Sequence, residues 1–148
     1  MNDDTKILFE NAWKYFEIHT SQRMTVFNFY IAIIGLLGAA SGICIQQGGD
    51  YKYLTSAMGL SISLISLIFY KLDERVSLLI KRSEKVLVKI EGELNKPSYC
   101  IFTHDLDDVT LNSSLLSPWT YGKCFRISFF LIFNIGVIIF ISPVFNIR

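Results

Sequence analysis

Three stretches of the chain contain no Asp, Glu, Lys or Arg: Met24 to Gly49, Tyr53 to Tyr70 and Ile127 to Ile147. An α-helix rises about 1.5 Å per residue and the hydrocarbon core of a bilayer is about 30 Å thick, so roughly 18 to 20 apolar residues cross it. Each stretch is long enough. All three are apolar around their whole circumference, and a chain this small cannot bury three such helices within itself. The pattern predicts an all-α integral membrane protein with three transmembrane helices.

The segments between the spans have their own periodicities. Asp3 or Asp4 can cap an N-terminal helix running to about Arg23, with carboxylates at its positive end. Its aromatic stripe, Phe9, Trp13 and Phe16, predicts packing on a neighbouring helix or a place at headgroup level. This helix is expected to run on into span 1. Gln46 to Lys52, with Gly48-Gly49, leaves room only for a tight turn, so spans 1 and 2 form an antiparallel hairpin.

No breaker follows span 2, and Leu72, Val76, Leu79, Val86, Ile90 and Leu94 recur at intervals of three and four or their sums. One helix is therefore expected from Tyr53 to about Asn95, ended near Gly92 and Pro97. Its second half forms an amphipathic arm of about 25 residues, on the order of 37 Å long. Lys96 to Thr120 is the least regular region, with a short strand expected at Tyr99 to Phe102. Ser117-Pro118 reads as an N-cap followed by Pro at the first helical position, opening a last helix that Pro143 ends or kinks. The divisions are an N-terminal amphipathic helix (1–23), a transmembrane hairpin (24–70), an arm and loop (71–117), and an interfacial start with span 3 (118–148).

Composition agrees with this reading: 51% of residues are hydrophobic, 18% are charged, and the mean hydropathy is +0.40. A net charge of +1 hides an asymmetry in the basic residues. Three Lys or Arg precede span 1, one lies in the following turn, nine lie between Lys71 and Arg126, and one ends the chain. The positive-inside rule places the N-terminus and the central loop in the cytoplasm and the C-terminus outside. The acidic start, with the first apolar run only at Met24, does not fit a cleavable signal peptide.

Motifs for chemistry are sparse. The sequence has no nucleotide-binding glycine loop, no zinc-spaced Cys/His set and no nucleophile motif, and Cys44, Cys100 and Cys124 lack ligand spacing. His19 and Arg23 stand in the wrong order for the Arg-x-x-x-x-His of HEPN ribonucleases, which leaves Arg23 as an interfacial anchor. His104-Asp105-Leu106-Asp107-Asp108 offers four donors in five residues without a second contributing segment, and reads as a solvated acidic loop. No metal, cofactor or enzymatic activity is expected.

Polar and small residues within the spans say more. Asn28 lies roughly 6 Å into span 1, and Ser63 and Asn134 lie roughly 11 Å into spans 2 and 3, all from the cytoplasmic side. Such side chains mark either interhelical hydrogen bonds or the lining of a water-filled path. Gly35, Gly38 and Gly42, the last two forming a Gly-x-x-x-Gly pair, allow close helix approach. Along the arm, Lys81, Lys85 and Lys89 repeat every four residues with Arg82 beside them, a basic stripe suited to lipid headgroups or an anionic ligand.

The segments W-K-Y-F-E-I-H-T-S-Q-R-M-T-V-F-N-F-Y (Trp13 to Tyr30), K-L-D-E-R (Lys71 to Arg75) and W-T-Y-G-K-C-F-R (Trp119 to Arg126) resemble a family of small bacterial inner-membrane proteins. In architecture these resemble the membrane effectors of anti-phage defence systems of the Hailong, retron and CRISPR-accessory types. The resemblance implies a homo-oligomeric inner-membrane channel or pore-forming effector, gated by a cytoplasmic trigger. Its partners would be further copies of itself, membrane lipid, and a cytoplasmic nucleotide, oligonucleotide or protein. The alternative is a non-conducting structural or sensory membrane protein that recruits a cytoplasmic partner through its arm.

Overall fold

A computed structural model of the chain describes residues 3–94, 100–104 and 119–145. It is an all-α protein with three helices long and apolar enough to cross a membrane: α1 (Asp3–Gln47), α2 (Lys52–Leu94) and α3 (Tyr121–Phe145). As the periodicity predicts, α1 joins the N-terminal helix to span 1 in 45 unbroken residues, and α2 joins span 2 to the arm in 43.

Between α1 and α2 the chain turns within residues 48–51. Gly48 and Gly49 have φ of 60° and 55°, in the left-handed region where a Cβ is strained. The Gly48 N–H donates to the Cys44 carbonyl at 3.2 Å, and the Tyr51 N–H donates to the Gly48 carbonyl at 3.0 Å, winding Gly49–Tyr51 into one 3-10 turn.

Two local expectations are corrected. No strand occurs among the described residues, and 101–104 is a single helical turn. The reason is Glu91, whose carboxylate accepts the N–H groups of Phe102 (3.1 Å) and Thr103 (3.0 Å) and the Thr103 hydroxyl (2.9 Å). It thereby satisfies first-turn donors that a strand would offer to a ladder. The last helix begins at Tyr121, with Trp119 and Thr120 outside it, whereas Ser117 and Pro118 lie outside the described residues. Pro143 sits inside α3 and deprives the Ile139 carbonyl of its usual donor; the Ser142 hydroxyl donates to that oxygen at 3.0 Å instead.

The chain forms two compact units. One comprises Met1–Arg23 and Arg75–Thr120, the other Met24–Glu74 and Tyr121–Arg148. The second unit is the transmembrane bundle. Its core is Tyr30, Phe125 and Phe129, surrounded by Phe27, Ile34, Ile65, Phe69, Tyr70 and Ile132. Phe27 stacks on Phe125 with ring centroids 4.0 Å apart, and Tyr30 meets Phe129 edge-on at 4.7 Å. Lipid is as apolar as these rings, so they join the helices by close contact and ring electrostatics and not by escape from water. The fully buried Tyr30 hydroxyl pairs with Ser66 Oγ at 3.0 Å, tying α1 to α2.

In the first unit the arm of α2 buries Val76, Ile80, Leu87 and Ile90. The stripe Phe9, Trp13 and Phe16 is stacked along α1, and the Phe102 ring stands edge-on to Trp13 (6.1 Å) and Phe16 (5.5 Å). The partner of the stripe is thus the turn that Glu91 holds.

Candidate functional site

Within the bundle, polar and small side chains fall into two groups. The first joins α2 to α3. Ser56 Oγ donates to the Phe140 carbonyl at 3.0 Å, and the buried Ser63 Oγ lies 3.2 Å from both the Phe133 carbonyl and that of Gly59 in its own helix. The two serines are seven residues apart, and so are their acceptors, as two antiparallel helices in constant register require. Between them the backbones touch. A Cβ on Gly59 would collide with the Phe140 nitrogen and lie 2.7 Å from the Gly136 oxygen. A Cβ on Gly136 would lie 2.5 Å from Ser63 Oγ and 2.9 Å from the Gly59 oxygen. Only glycine permits this approach.

Sequence reasoning found Ser63 and missed Gly59 and Gly136. A signal existed: Gly59-x-x-x-Ser63 repeats the small-x-x-x-small spacing of Gly38-x-x-x-Gly42, and Gly136 is the single glycine in the third apolar stretch.

The second group faces outward. Gly35, Gly38 and Gly42 meet nothing within 4 Å of where a Cβ would stand. Asn28 and Asn134 are exposed and are not brought together with Ser63. Asn134 turns its Nδ2 back to the Phe130 carbonyl of its own helix at 2.7 Å. Asn28 has no side-chain hydrogen bond among the described residues.

Past the apolar stretch of α2, Asp73 is buried with Oδ2 3.9 Å from Arg126 Nε of α3, a charged contact at the edge of the bundle. Lys71 Nζ and Glu74 Oε2 pair at 2.9 Å on the exposed surface. Hydrogen bonding to Glu74 raises the Lys71 ammonium above its ordinary pKa, and the same bond lowers the Glu74 carboxyl. Exposed pairs of this kind add little to stability.

In the other unit Lys81, Arg82, Lys85 and Lys89 are all exposed, away from the buried seam of the arm. Like charges gathered on a solvated surface raise the local concentration of anions. His19 Nδ1 lies 3.2 Å from Gln22 Oε1, and its ring meets Tyr15 edge-on. No cluster of His, Cys, Asp or Glu able to hold a metal occurs among the described residues; Asp105, Asp107 and Asp108 lie outside them.

Over 143 residues the chain is 50% identical to CD-NTase-associated protein 19 of Escherichia coli, covering 97% of this chain and 95% of that one. No family model and no solved structure matches it.

Proposed function

We propose that this chain, which belongs to the family of CD-NTase-associated protein 19, is a homo-oligomeric channel or pore-forming effector of the bacterial inner membrane, acting in anti-phage defence. The observation that carries the reading is the coincidence of three apolar spans with a near full-length relative whose name ties it to a CD-NTase. Aromatic rings and a backbone-to-backbone glycine contact close the three helices on one another. A water-filled path therefore belongs between copies. The N-terminus and the arm lie in the cytoplasm and the C-terminus outside, because the nine basic residues between Lys71 and Arg126 resist translocation. The exposed stripe Lys81, Arg82, Lys85 and Lys89 receives the trigger, a polyanion such as a nucleotide or oligonucleotide, or an acidic protein surface.

Single-channel recording of the purified protein in a planar bilayer tests conduction. Unitary currents are the expected result; protein that inserts and stays silent refutes the pore and favours the recruiting, non-conducting alternative. Lys81→Glu combined with Lys85→Glu is expected to abolish triggering while leaving assembly intact.

A further inference from the structure

The outward face of α1 is built contrary to what lipid asks of it. Tyr30, Ser41 and Cys44 are buried on the side facing the bundle. At about 100° per residue the opposite side carries Thr25, Asn28, Ala32, Gly35, Ala39 and Gly42, spaced by three and four throughout. Five of these six are exposed and Gly42 is half-buried. A face turned to acyl chains is ordinarily the most apolar one; here the middle of the face is small and polar, Met24 and Ile43 stand at its two edges, and Phe29 (62% exposed) and Leu36 (76% exposed) lie to one side of it.

The glycines alone would decide nothing, but Asn28 adds an independent demand. Its carboxamide lies in the apolar stretch without the helix-carbonyl bond that Asn134 makes. Leaving amide groups unpaired in hydrocarbon costs several kcal/mol each, so a partner from outside the chain is called for.

We infer that this seam packs against the same seam of a second copy, α1 parallel to α1, with Asn28 bonded to Asn28. The chemistry selects a copy of this chain over a foreign helix. Copies insert in one orientation, which brings every seam residue to the depth of its counterpart, and a carboxamide is both donor and acceptor and so complements itself. A polar residue at one position of such a seam fixes register, and small residues above it let the helices close. The chain already uses the same device internally, where serine-to-carbonyl bonds seven residues apart flank the Gly59 and Gly136 contact. The inference rests on the multi-copy reading above and assigns its interface.

The test is cysteine cross-linking of the full chain in native membranes, in a background of Cys44→Ala, Cys100→Ser and Cys124→Ser. Oxidation is expected to yield covalent dimer for Asn28→Cys, Gly35→Cys and Gly42→Cys, and little for Phe29→Cys or Leu36→Cys. Dimer peaking at the latter two, or equal yields at all five, overturns the inference. So does reaction of the first three with a charged, water-soluble thiol reagent without dimer formation, which would make the seam a wall of the water path. Should the background not fold, Gly35→Leu with Gly42→Leu in the otherwise unaltered chain serves: nothing in the chain crowds those sites, so a smaller assembly in detergent supports the seam and an unchanged one refutes it. Seam dimers in a protein that passes no current would leave the interface standing and remove the pore; currents without seam dimers would do the reverse.

Discussion

Gly59 and Gly136 are pressed against backbone, while Gly35, Gly38 and Gly42 touch nothing. Both sets lie in apolar helices, and only the first is used inside the chain. A small residue in a membrane helix marks a contact without saying whose. α2, flanked by both neighbours, buries 28% of its most apolar window, against 11% for α1 and 17% for α3. Gly59 and Gly136 serve the fold. Gly35, Gly38 and Gly42 of α1 make no such contact within the chain.

The largest effect is expected for Gly59→Leu, because its Cβ meets the backbone of α3, which cannot swing aside as a side chain can. Overpacking of this kind costs about 1–3 kcal/mol or more. Detergent-solubilised protein should melt at clearly lower temperature or fail to accumulate, and wild-type melting would show that α2 and α3 do not touch there.

Next come the hydrogen bonds around that contact. Ser63→Ala and Tyr30→Phe each remove one interhelical partner, worth about 0.6 kcal/mol on average and up to about 1.7 between membrane helices. A double-mutant cycle of Tyr30→Phe with Ser66→Ala should return a coupling of that size, whereas zero coupling would deny the link from α1 to α2. The smallest effect on the chain itself is expected for Gly38→Leu. Nothing stands within 4 Å of the new Cβ and leucine is the better helix former, so melting of the dissociated chain should stay within about 0.5 kcal/mol of the parent. A large loss would place Gly38 in an internal contact, like Gly59 and Gly136.

Much of the fold was legible in the sequence because charge is so costly in hydrocarbon. The charge-free stretch from Tyr53 to Tyr70 lies within α2, α1 carries the first stretch from Met24 to Gln47 and α3 the third from Ile127 to Phe145, and the lack of a breaker after Tyr70 predicts the continuous α2. The short strand at Tyr99 to Phe102 was misread because the side chain that organises 101–104 is Glu91, ten residues upstream in a different element. Local propensity does not contain that bond. The site was legible only in part for a related reason. Gly38-x-x-x-Gly42 and Gly59-x-x-x-Ser63 look alike as strings, and which one meets α3 depends on how far each helix is rotated about its axis.

The turn at residues 48–51 sets the kinematics of the hairpin. Four residues, two of them held in left-handed conformation and three wound into a 3-10 turn, leave no slack between the end of α1 and the start of α2. Sliding one helix past the other by a full turn, about 5.4 Å, would require that link to unwind at one face of the membrane. The hairpin is therefore stiff along its length and compliant only in tilt and twist. A piston stroke of the α1 span alone is mechanically closed to it, and any axial displacement of the hairpin must carry both of its spans together.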